Sequence, residues 1–153
     1  MIWTERLDVL ARAHAEAAYP AECCGLLLQE QQGGPGEYRR CDNVQRDDPA
    51  LDPDGTARGA ETAFHLDSRE IVRAEREGLE IRGIIHSHPD HDAYFSAMDR
   101  QMATWRLGDD LPAEPAYPGV AYLVISVRTG SAGDQRWFGW SENAGDFEEI
   151  AAP

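Results

Sequence analysis

Apolar residues Leu7, Leu10, Ala11, Ala15 and Ala18 recur at helical spacing between Thr4 and Ala18, and Pro20 forbids continuation. That pattern predicts a first amphipathic helix. Cys23-Cys24-Gly25-Leu26-Leu27-Leu28 is instead a short unbroken apolar run, bounded by Pro20 and by Gly33-Gly34-Pro35-Gly36. Such a run predicts a buried strand and a turn, with a partner strand over Glu37 to Val44. From Gln45 to Ala60 the chain is rich in Asp, Pro and Gly with almost no apolar residue, the pattern of an exposed loop able to border a substrate groove.

Thr62 to Leu66 alternates weakly, and Asp67-Ser68-Arg69-Glu70 then offers an N-cap and an N3 acid for a helix ending near Gly78. Ile81 to His86 predicts a buried strand, Ser96 to Leu107 a helix, Gly108 to Gly119 a Pro-rich loop and Val120 to Val127 a strongly apolar strand. Arg136 to Trp140 and Phe147 to Ile150 complete the expected strands. Helices interleaved with strands that include hairpins imply a mixed-sheet α/β or α+β architecture, since a purely parallel sheet needs a crossover between every pair. No repeat or linker divides the 153 residues, so one domain over 1–153 is expected, large enough to bury a core without a disulfide or metal as its main staple.

Composition narrows the functions available. Twenty-eight Asp+Glu against 14 Lys+Arg give a formal charge of -14, which repels nucleic acid and anionic membranes. Every one of those 14 cations is arginine, so no side-chain amine can accept an isopeptide bond, and only an N-terminal amine could be conjugated. Cys23, Cys24 and Cys41 do not make a disulfide framework, because adjacent cysteines pair only with strain and one thiol is left over. A reducing cytoplasm is expected, consistent with the lack of a secretory signal and of any apolar stretch of spanning length.

Three of the five histidines fall within Ile85-His86-Ser87-His88-Pro89-Asp90-His91. If the strand runs on through His88, the imidazoles of His86 and His88 point to one face about 6.5–7 Å apart along it, and can converge on one ion. A catalytic zinc keeps three protein ligands and an open fourth position, so a third donor is needed. Asp99 is the candidate: Pro89 turns the chain, and the residues up to Phe95 let a helix begin that carries Asp99 back beside the histidines. Taken alone, Ser96-Ala97-Met98-Asp99 is an ordinary helix start, and His-Ser-His an ordinary polar strand end. Zinc lowers the pKa of a water to roughly 7, and a nearby carboxylate can take its proton and pass it to a leaving amine. Glu22, at the entrance to the first strand, is the candidate base, although a lone acid there is by default a surface residue.

A rival reading uses His86-x-His88-x-Asp90-His91, which resembles the H-x-H-x-D-H pattern of metallo-β-lactamase-type dinuclear hydrolases. Those need a further histidine downstream, and none follows His91.

Glu22-x-Cys24-Gly25, followed by His86-Ser87-His88-Pro89-x6-Ser96-x2-Asp99, resembles the JAMM (MPN-plus, Mov34/JAB-type) zinc metalloprotease family. Phe64-x-Leu66-Asp67 and Gly83-Ile84-Ile85 also look like its single-domain bacterial members. The resemblance implies a JAB/MPN, cytidine-deaminase-like fold with a mixed, partly barrel-like sheet flanked by helices. It implies one zinc per chain on His86, His88 and Asp99, with Glu22 activating water and Ser96 donating to the oxyanion. It implies cleavage after the C-terminal Gly-Gly of a ubiquitin-like or sulfur-carrier protein, and it leaves both a monomer and a homodimer open. The sequence departs from the bacterial pattern at Phe95, where proline is usual, and in its extra His91 and doubled cysteine. Phe95 suits an apolar groove wall, His91 an exposed position, and Cys24 packing rather than nucleophilic chemistry. Members of the same fold without the metal motif act as noncatalytic scaffolds, which is the second reading.

Overall fold

The computed structural model describes residues 1–45, 59–108 and 110–153. Its elements are α1 (Glu5–Ala18), β1 (Cys24–Glu30), β2 (Glu37–Cys41), α2 (Ser68–Arg76), β3 (Leu79–Pro89), α3 (Ala97–Ala103), β4 (Thr104–Trp105), β5 (Glu114–Pro115), β6 (Ala121–Arg128), β7 (Ser131–Ser141) and β8 (Asp146–Ile150). Most of the loop expected over Gln45 to Ala60 lies outside the described residues.

Six strands form one mixed sheet in the order β2-β1-β3-β6-β7-β8. Only β3 and β6 pair in parallel, which is why the chain between them has to travel back along the sheet through α3 and the β4-β5 hairpin. The order ends on β2 and β8, so the expected barrel-like character does not extend to closure. No helix among the described residues is long and apolar enough to cross a membrane.

Alternation along the strands divides the core between two faces. Leu27, Ile85, Leu123, Ile125 and Val127 pack under α1 against Leu7, Ala11 and Ala15, the one-turn-spaced positions of its apolar stripe. Trp3 and Trp137 close this layer edge to face, with ring centroids 5.1 Å apart. On the opposite face Leu26, Leu28, Ile84, Tyr122 and Val124 pack against Ala74 of α2 and Ala103 of α3. His86 and His88 follow Ile84 at alternate positions of β3, so the sheet delivers them to this second face at its carboxyl end. Covered on both sides, the last seven residues of β3 are all buried.

Gly25 is required by close packing: a Cβ there would stand 2.5 Å from the Tyr38 hydroxyl oxygen. The Tyr38 hydroxyl is itself in a 2.8 Å hydrogen bond with His14 Nδ1.

The structure corrects two boundaries. The helix expected over Ser96 to Leu107 stops at Ala103, where Thr104 turns extended and the Ala103 carbonyl accepts from Ala116 N at 2.8 Å. Thr104 and Trp105 then pair with Glu114 and Pro115, a short hairpin inside the expected Pro-rich loop. The strand expected from Arg136 begins at Ser131, because the tight turn at Thr129-Gly130 brings β7 straight back along β6.

Candidate metal centre

The β1–β3 register sets Cys24 opposite His86 in an antiparallel pair. Continued by two residues, that register puts Glu22 opposite His88 on the same face, and the charge of Glu22 is felt at His88. Glu22 is buried, and its backbone is fixed on several sides. Its N–H donates to Ala60 O at 2.6 Å, and its carbonyl accepts from Asn43 Nδ2 at 3.0 Å. Ser87 points to the other face, where its Oγ accepts from Cys23 N at 2.8 Å and pins the entrance of β1.

Asp99 arrives from α3 through a complete capping box. Ser96 Oγ accepts from Asp99 N at 3.1 Å, and Asp99 Oδ2 accepts from Ser96 N at 2.8 Å. The serine oxygen is thus an acceptor in the cap, and its side chain also hydrogen-bonds the Asp99 carboxyl. The cap turns Asp99 inward: Oδ1 lies 3.3 Å from His86 Nε2, Oδ2 lies 3.4 Å from His88 Nε2, and the two Nε2 atoms are 3.2 Å apart. Each histidine nitrogen thus faces a different oxygen of the one carboxylate, and one donor atom from each of the three residues lies within 4.8 Å of the others. A tetrahedral zinc with ligand distances of about 2.0–2.1 Å spaces its ligand atoms about 3.3–3.4 Å apart. Two imidazole Nε2 atoms at 3.2 Å also need a proton or cation between them. Two imidazole nitrogens and a carboxylate converging this closely therefore suit zinc in the chemistry of the donor set.

The rings are oriented by different means. His88 Nδ1 hydrogen-bonds Asp92 O at 3.0 Å, which makes Nδ1 the donor and leaves Nε2 free as a ligand. His86 Nδ1 has no hydrogen-bond partner among the described residues, although the ring is fully buried. Stacking on Phe64 holds that ring instead, with centroids 4.5 Å apart and planes 21° apart. Burial opposes a charge on His88, but the Asp99 carboxylate, the Asp92 carbonyl and Glu22 outweigh it and raise the His88 pKa. Burial likewise tends to raise the Asp99 pKa, and the histidines together with Ser96 drive it well below the carboxylate range.

Asp90 and His91 do not join the cluster. Asp90 Oδ2 accepts from Tyr19 Oη at 2.8 Å and Oδ1 from Thr129 N at 2.8 Å, while His91 is exposed. Among the described residues the convergent donors are His86, His88 and Asp99 alone, so the dinuclear lactamase-like set is not assembled. Cys24 is fully buried with its pKa raised by desolvation, a packing residue rather than a nucleophile. Phe95 is buried among Tyr122, Phe138 and Phe147, which explains how a large ring replaces the usual proline.

A family model described as prokaryotic homologs of the JAB domain matches residues 5–139. The chain belongs to that family. Among curated relatives, the Desampylase of Haloferax volcanii is 31% identical over 121 residues, covering 76% of this chain and 70% of that protein. Tail tip assembly protein K of Escherichia phage N15 is 32% identical over 88 residues, but the match spans 58% of this chain and only 30% of the phage protein. A solution structure of a Salinibacter ruber protein superposes with a TM-score of 0.63 at 28% identity, covering 99% of this chain and 89% of the other. The JAB assignment gives the cluster its context. The architecture expected from the sequence, a mixed sheet flanked by helices, is the one observed.

Asn43 and Phe64 were not among the expected site residues. Asn43 Nδ2 also donates to Ala63 O at 3.1 Å, and its Oδ1 accepts from Gln45 N and His65 N, each at 3.0 Å. It therefore ties the backbone of Glu22 to the segment that carries Phe64 onto His86.

Proposed function

We propose that the chain is a zinc-dependent peptidase or isopeptidase that cuts the amide bond after the C-terminal Gly-Gly of a ubiquitin-like or sulfur-carrier protein. The observation that carries this reading is the convergence of His86, His88 and Asp99, with side-chain contacts of 3.2–3.4 Å, beside the buried Glu22. The similarity to the Haloferax Desampylase supports a substrate of the ubiquitin-like class.

His86, His88 and Asp99 would hold the metal, one ion per chain. Bound there, zinc supplies Lewis acidity and makes a water acidic enough to act near neutral pH. Glu22, held by Asn43, Ala60 and the Ser87–Cys23 hydrogen bond, takes a proton from the attacking water. It later returns that proton to the amine as the C–N bond breaks, so water's hydroxyl ends on the glycine carboxyl and its hydrogen on the amine. Ser96, at the N-cap of α3, would donate its hydroxyl to the oxyanion that forms on the glycine carbonyl. Glu22 stands two residues before β1 and Ser96 caps α3, so the base and the oxyanion donor sit at the ends of regular elements.

Metal analysis, followed by cleavage of a Gly-Gly protein carrying a C-terminal extension, tests this. One zinc per chain and cleavage that stops on chelation and returns with zinc are expected. Protein that takes up no zinc at micromolar metal would instead be a noncatalytic scaffold, and two metals per chain would revive a dinuclear hydrolase.

A further inference from the structure

Between α2, α3 and the sheet lies a cavity of about 210 Å³. Phe64, Ile71, Met102, Tyr117 and Tyr122 supply its walls, and His86 and Asp99 stand at its side. It is smaller than the roughly 300–1,000 Å³ of a site that takes a whole drug-sized molecule. That size suits a single side chain. Because two of the candidate metal ligands line it, a side chain that fills it belongs to a residue at the bond being cut. On the Gly-Gly reading, the acyl side of that bond has no side chain to offer.

We propose that this cavity is a subsite for an apolar side chain, of the size of Leu, Met or Phe, on the residue that follows the scissile bond. The proposal rests on the reading of the chain as a Gly-Gly-directed peptidase, and it separates two kinds of amide. In a linear extension the scissile nitrogen sits on the Cα that bears the side chain, so that side chain can enter the cavity. In an isopeptide the nitrogen ends a lysine stem, and the stem leads into a protein backbone that a cavity of this size cannot admit. The stem leaves by another route and the cavity stays unfilled. Linear extensions that begin with an apolar residue are therefore preferred over lysine-linked conjugates.

The test compares kcat/KM of the zinc-loaded full chain on ubiquitin and on a bacterial sulfur-carrier protein. Each carries Leu, Phe, Ala or Gly after its Gly-Gly tail, ahead of a reporter, and lysine-linked conjugates of the same proteins complete the series. Leu and Phe are expected to exceed Gly and the conjugates by at least about tenfold. Ile71→Trp, which fills the cavity from its partly exposed wall, is expected to bring the Leu-to-Gly ratio close to unity. Met102→Ala, at a position 55% exposed, is expected to shift the preference from Leu toward Phe. Thermal melts of both variants confirm that they fold. Rates independent of the added residue overturn the subsite and leave the peptidase reading standing, as does a Leu preference that survives Ile71→Trp. A wild type that cuts none of the series overturns the peptidase reading, and the subsite falls with it.

Discussion

Asn43 uses every hydrogen-bonding position of its amide: two donors to Glu22 O and Ala63 O, two acceptances from Gln45 N and His65 N. Asn43→Asp keeps the shape but turns two donors into acceptors that face carbonyl oxygens. The expected cost is about 1–3 kcal/mol of stability in urea unfolding. The same variant should lower kcat more than it changes KM, because Glu22 loses its anchor; a variant with wild-type stability and kcat would remove Asn43 from the account. The convergence of His86, His88 and Asp99 was legible in the sequence from alternate positions on a strand and an acid one turn into a helix. Asn43 was not, since nothing in Cys41-Asp42-Asn43-Val44 tells that the segment from Gly59 onward returns beside it. The Asp92 carbonyl that orients His88 is backbone, which no residue type announces.

The elements that carry the site were legible from their caps. Ser96 begins α3 and Asp67 begins α2, as their sequences predict. The end of α3 was not, because the stop comes from a hairpin partner more than ten residues downstream rather than from a local breaker. Ser96→Ala removes the cap and the proposed oxyanion donor, so on the proposed function it should lower kcat while costing about 0.5–2 kcal/mol of stability. Ser96→Thr should restore most of the stability, and a serine needed only for capping would leave the kcat of Ser96→Ala unchanged. The α2 cap makes a pH prediction. Hydrogen bonds from the Arg69 side chain and backbone N–H hold the Asp67 carboxyl at about 2, below its ordinary 3.8. A depressed folded pKa contributes stability above the unfolded value, and that contribution is lost as pH falls from about 4 toward 2. Asp67→Ala should therefore lower the Tm at neutral pH by a margin that narrows toward pH 2; a constant margin would contradict the cap.

At the scale of the whole molecule, the mixed sheet was legible but its order was not. The parallel β3–β6 pair joins strands whose connection has no fixed length or local signature. The charge of -14 acts over the same distances. Raising salt from about 0.01 to 1 M shortens the Debye length from ~30 to ~3 Å and screens that self-repulsion, so the Tm at neutral pH should rise across the range. A Tm that falls would place net attraction, not repulsion, among the surface charges. The central claim is that Glu22 moves the proton at a centre held by His86, His88 and Asp99. The most direct measurement is cleavage of a Gly-Gly extension by the zinc-loaded Glu22→Gln variant at matched zinc content. A loss of about 10²- to 10⁴-fold in kcat is predicted, and cleavage equal to wild type would contradict the account.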